Sequence, residues 1–236
     1  MMKKAKKVVK KKKVVKKAKA KARPASKGSA KAKKTKGSPS RKGGARKPAV
    51  KARRATKGRS LRGLGMKEVA AAVHGLLVEG GHEPILSGQA CAAIYGGQAI
   101  KSRTLEFAIT GFAPAKVGAL MASLGFVLKE ARTFSNMSCP YEVVLLAAPL
   151  RVGDDATDGS RMIKTSSGPL RMLTPTDCVR QRLSMFYRWG DRQALTEAVQ
   201  VAKRQAVEME LVARWSEWEW ATDRFQEFLR ALEASR

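Results

Sequence analysis

The chain is 236 residues long and carries 48 Lys+Arg against 19 Asp+Glu, a formal net charge of +29. Residues 1–60 hold 27 of those basic residues with no acid and no aromatic, so this segment cannot bury a core, and the 176 residues that follow are close to neutral. The three cysteines, Cys91, Cys139 and Cys178, are too scattered for a disulfide framework or a zinc site, and no apolar run reaches the length of a membrane span.

In chain order, the first predicted element is a disordered arm over residues 1–60. Its blocks of Lys and Ala are interrupted by Pro24, Pro39 and Pro48, which break any long helix. This composition resembles the tails of linker histones and of lysine-rich histone-like proteins of bacteria. The physics is that of counterion release: each Lys or Arg docked on a duplex phosphate steepens the log–log salt dependence by roughly 0.9. Lys3, Lys4, Lys10, Lys11, Lys12, Lys13, Lys16 and Lys17, with Arg53 and Arg54 nearer the fold, are the expected contacts. The arm has no folded element to read base edges and no aromatic to stack on unpaired bases, so it is expected to bind nucleic acid without reading it, DNA ahead of RNA. The N-terminus has charge but no apolar h-region, and three thiols in apolar surroundings suit a reducing compartment. The expected location is cytoplasmic and nucleoid-associated.

The texture changes near Ser60, and the first acid, Glu68, appears. Apolar residues at helical spacing predict a helix over 66–81, stopped by paired glycines. "PILSG" (84–88) predicts a short strand running into a turn, and "QACAAIYGG" (89–97) a helix. "TLEFAIT" (104–110) alternates as a strand does, and 113–126 is again helical. "VLKEARTF" and "YEVVLLAA" predict strands, with two shorter ones at "RMIKT" and "PLRML". From Thr174 onward four amphipathic segments predict helices; Thr174 or Thr176 caps the first, with Asp177 in its opening turn. The fold class is α+β: a small mixed-sheet domain over 61–173, then a helical subdomain over 174–236.

The run "ILSGQACAAIYGGQAIKSRTLEFAIT" (85–110) resembles the start of the minimal nucleotidyltransferase fold, which includes abortive-infection toxin nucleotidyltransferases. The similarity continues through "PLRVGDD" (149–155) and "LTPTDCVRQRLSMFYRWGDRQALTEA" (173–198). The resemblance implies a nucleoside triphosphate held at the Ser87-Gly88 turn and magnesium held by carboxylates. Small residues at a helix N-terminus admit phosphates to backbone amides, and two acids at i and i+2 on a strand share one face. Here the two acid positions fall on Thr104 and Glu106, and the third falls on Val144 with Glu142 two residues earlier. Lys101, Arg103, Arg180, Arg182 and Asp191 are candidates to line the cleft, Arg182 and Asp191 foremost.

With part of the acid set missing, the expected function is a nucleic-acid-associated protein with a degenerate, inactive nucleotidyltransferase-like domain, a pseudoenzyme tethered by its arm. Two alternatives follow from the same residues. One is an active magnesium-dependent nucleotidyltransferase acting on RNA or protein, with Glu106 and Glu142 as metal ligands. The other is a histone-like nucleoid-packing protein. His74 and His82 make no metal-site spacing. Trp215, Trp218 and Trp220 are expected to pack a helix face or meet a protein partner.

Overall fold

Small side chains bring the first helix close to the sheet. In this computed structural model, which describes residues 60–97, 100–157 and 159–235, α1 (Met66–Glu79) buries Val69, Ala70, Val73, Leu76 and Leu77 and packs against strands β1 and β9, introduced below. The arm contacts expected from Lys3 to Arg54, and the arm's disorder, lie outside the described residues. The described residues all belong to one compact unit, Arg53–Arg236.

After α1 come β1 (Ile85–Ser87), α2 (Gly88–Gly96), β2 (Thr104–Ile109), α3 (Pro114–Ala122), β3 (Val127–Glu130), β4 (Thr133–Ser135) and β5 (Glu142–Ala147). A short hairpin, β6 (Arg151–Val152) and β7 (Asp155–Ala156), precedes β8 (Ser160–Thr165) and β9 (Gly168–Leu173). The chain ends in α4 (Pro175–Trp189), α5 (Arg192–Arg204), α6 (Met209–Trp218) and α7 (Thr222–Ala234). Seven strands form one mixed sheet in the order β3-β4-β5-β2-β1-β9-β8, which leaves β3 and β8 at the edges. The architecture is α+β, with four of the seven helices of the described residues collected at the C-terminus. Among the described residues no helix is long and apolar enough to cross a membrane.

Strand alternation sets the two faces of the sheet. Leu105 and Phe107 of β2 and Val143 and Leu145 of β5 are all 0% exposed, while Thr104, Glu106, Glu142 and Val144 point to the other, half-open side. β2 and β5 run parallel with Thr104 opposite Glu142 and Glu106 opposite Val144. β1 runs antiparallel to β2, setting Ser87 opposite Glu106.

Two expectations need correction. The single strand expected at "VLKEARTF" is a hairpin, β3 and β4, because Ala131 takes a left-handed φ of 40° and turns the chain. The β6–β7 hairpin was not read from the sequence; its turn is Gly153-Asp154, with Gly153 at φ 63°. At α4 the cap is Thr174, whose Oγ1 accepts from the Asp177 N–H at 3.1 Å, while the Thr176 hydroxyl instead accepts from the Glu208 N–H. The α4–α7 helices do not stand apart: α4 and α5 both pack against α2.

All three cysteines are free and buried, as is His74 on α1. Burial, then a hydrogen bond with the Cys178 thiol, pushes the Cys91 thiol well above its ordinary range, so it is a packing group rather than a nucleophile.

Candidate functional site

The turn entering α2 places a backbone amide beside a carboxylate. Gly88 sits at φ 67°, and a Cβ there would overlap the Glu106 carboxylate. Only glycine accepts both the left-handed backbone and that close approach. Gly88→Ala is expected to displace the Glu106 side chain and to cost about 1–2 kcal/mol from the left-handed backbone; urea unfolding measures it, and an unchanged midpoint would contradict it.

The turn itself is not open to a ligand. Ser87 is fully buried, with its hydroxyl directed at the Glu106 carbonyl at 3.4 Å. The Gly88 N–H donates to Gln181 Oε1 at 2.8 Å. A side chain of α4 therefore satisfies the amide that the sequence offered to a phosphate.

Beyond that turn lies a cavity of about 470 Å³, lined among others by Glu106, Arg151, Gly153, Gln181, Arg182 and Arg188. Three arginines and one carboxylate thus line the cavity, and two of the arginines are already paired, Arg182 with Glu197 and Arg188 with Glu219. Arg182 is held from beneath: its Nη1 lies 3.5 Å from Glu197 Oε2, and Glu197 also accepts from Gln89 and Gln193 on Oε1. Glu197 is 3% exposed, so these donors stabilise its charge in place of water. Burial pushes the Glu106 carboxyl above its ordinary range, and the Arg182 charge opposes that shift. Among the described residues the Glu106 carboxylate has no hydrogen-bond partner.

The remaining candidates lie elsewhere. Thr104 and Glu142 share the sheet face of Glu106 but do not line the cavity, because Glu142 is drawn to Lys129 on the edge strand at 2.9 Å. Asp191 is the N-cap of α5 and accepts from the Gln193 and Ala194 amides at 2.9 and 3.1 Å. Lys101 and Arg103 are exposed ahead of β2. Arg180 is buried and bound to Asp177 and Asp155. His82 Nδ1 lies 3.0 Å from the Thr110 carbonyl, beside a different cavity. Gln89, Arg151, Gln181, Arg188 and Glu197 were not singled out in the sequence; they come from a helix start, a hairpin and two helices that only folding brings together.

A divalent cation of the kind the resemblance implies takes several oxygen ligands, usually carboxylates. The cleft offers one, Glu106, with apolar Val144 at the facing position and arginines around it. Among the described residues no three His, Cys, Asp or Glu side chains gather as a metal site. This donor set is short of the carboxylates that magnesium takes.

No family model matches the chain, and no curated protein sequence matches it. Among solved structures, the fold is similar to the crystal structure of an antigenic nucleotidyltransferase-like protein from Paracoccidioides brasiliensis, at 14% identity and a TM-score of 0.46, over 59% of this chain and 74% of that one. It is also similar to the solution structure of the antibiotic-resistance factor ANT(2'')-Ia, at 12% identity and a TM-score of 0.42, over 72% of this chain and 95% of that one.

Proposed function

We propose that residues 61–235 form a nucleotidyltransferase-like domain that binds a phosphorylated ligand in the arginine cleft without transferring a nucleotide, and that residues 1–60 hold nucleic acid through its phosphates, at the nucleoid. One observation carries the reading of the domain: Arg151, Arg182 and Arg188 line a cleft in which Glu106 is the one lining carboxylate, and the strand position facing Glu106 is Val144. Guanidiniums supply forked donors to phosphate oxygens, so the protein's own cations stand where a metal ion would otherwise neutralise them. The charge split supports the reading of the arm, since nearly all of the net charge lies before residue 61.

The test is calorimetry of the full chain with ATP, in salt high enough to weaken the arm's contacts. Binding is expected to persist in a chelator of divalent metals. Arg151→Gln with Arg188→Gln is expected to weaken it about tenfold or more, since each removes a charged hydrogen bond from a site whose core is untouched. Transfer of a nucleotide label from ATP or CTP in magnesium or manganese, lost in Glu106→Gln, would sink the proposal.

A further inference from the structure

Beside the cleft the protein displays tryptophans that its fold does not bury. Trp189, Trp218 and Trp220 are 77%, 70% and 96% exposed, whereas Trp215 is buried and stacked on Tyr187. Their positions converge. Trp189 follows Arg188 at the end of α4, and Arg188 Nη2 lies 3.5 Å from Glu219 Oε2. Trp218 and Trp220 flank Glu219 in the chain. The Glu219 carboxylate in turn lies against Gly153, where a Cβ would overlap it. Arg188 and Gly153 both line the arginine cleft. One ion pair at the rim of the cleft therefore joins the two chain segments that carry the three exposed indoles. Trp218 also lines, with Arg214 and with Asp155 and Ala156 of β7, a second cavity of about 280 Å³.

The backbone at Trp220 goes against the usual residue choice. The Ala221 N–H bonds to the Ser216 carbonyl at 2.9 Å and the Trp220 N–H to the Glu217 carbonyl at 3.0 Å, the paired bonds of a Schellman helix end. The left-handed residue of that motif is ordinarily glycine, yet here it is Trp220, at φ 56°. The sequence thus keeps a bulky ring where the helix end favours none, and the ring packs on nothing.

We propose that Trp189, Trp218 and Trp220 are a stacking platform for unpaired bases, and that the ligand of the cleft is a single-stranded nucleic acid whose phosphates enter among Arg151, Arg182 and Arg188. This rests on the phosphate-binding reading of the cleft and names its substrate class. Exposed rings on residues that adjoin an arginine-lined cleft match the alternation of bases and phosphates along a strand. The arm, lacking aromatics, cannot supply single-strand preference, so the folded domain is where it would reside.

The test is tryptophan fluorescence of the full chain, titrated with an oligothymidylate and with a duplex of the same length. All four tryptophans lie in the folded part, so binding by the arm alone is dark. The single strand is expected to quench and the duplex not. Trp218→Ala with Trp220→Ala is expected to weaken single-strand binding about tenfold or more and leave duplex affinity unchanged. Trp220→Gly is expected to raise the melting temperature by about 2–4 °C while weakening single-strand binding, and Trp220→Phe to restore binding. Equal quenching by duplex, or none by the single strand, overturns the platform. So does a concentration-dependent dimer lost in Trp218→Ala, which would assign the face to a second copy. If ATP binding persists while the single strand fails to quench, the platform falls and the cleft stands; quenching without ATP binding keeps the platform and removes the cleft reading.

Discussion

Asp177→Ala will lower the free energy of unfolding by roughly 3–5 kcal/mol. Asp177 is 0% exposed and Arg180 is 2% exposed, with Arg180 Nη1 lying 3.0 Å from Asp177 Oδ1. The guanidinium is also bound by Asp155 at 2.9 Å and lies 5.3 Å from the centre of the Trp215 ring. Removing the fully buried carboxylate leaves a buried charge balanced by Asp155, which is itself 40% exposed. The same carboxylate accepts from the Thr174 hydroxyl at 3.1 Å, so the start of α4 loosens as well. Urea unfolding measures the loss. A double variant, Asp177→Ala with Arg180→Met, is expected to recover a large part of it, because the cost lies in the orphaned charge more than in the lost attraction. A single-variant loss below about 1 kcal/mol would show that water reaches the pair.

Acid will destabilise the fold through His74. Its pKa is lowered from the ordinary 6.5 to about 4, first by burial, then by the Arg171 charge, and only weakly opposed by the Pro169 carbonyl. Neither ring nitrogen has a hydrogen-bond partner at normal geometry among the described residues. The unfolded chain therefore binds this proton between about pH 6.5 and pH 4 and the folded chain does not. Stability from this group is fully present above pH 6.5 and is lost as the pH falls toward 4, by roughly 3 kcal/mol over that window. Guanidinium chloride unfolding at a series of pH values checks it. His74→Leu is expected to flatten the profile in that window and to leave neutral-pH stability intact, since it removes two unpaired nitrogens from the core. Parallel profiles for the two proteins would refute the assignment.

Periodic signals made most of the elements legible. The helix over 66–81, the strand at "TLEFAIT" and the four C-terminal helices are carried by apolar spacing over many residues, and the structure has them all. Short features carried too little pattern. β6 and β7 have two residues each, below any alternation that could be read, and the turn within "VLKEARTF" rests on one left-handed alanine. The site divides in the same way. Glu106 and the Ser87-Gly88 turn stood out because they lie within one short stretch of chain. Arg151, Arg188, Gln181 and Glu197 carry no local mark, since each matters only for what a distant element sets beside it. Asp191 is a candidate only through the family resemblance, and the structure makes it a helix cap.

The order of the sheet bears on how copies of this chain behave when crowded. An open sheet edge is a template on which another molecule's strand can grow. β3 is four residues long, bears Lys129 and Glu130, and has an irregular register between Leu128 and Glu130. β8, at the other edge, exposes Arg161 and Lys164. Shortness, charge and a bulge are the devices by which natural sheets refuse edge-to-edge growth. Molecules lined up side by side on a polyanion by their basic arms would meet at high local concentration, and a sheet guarded at both edges lets them crowd there without fusing into fibrils.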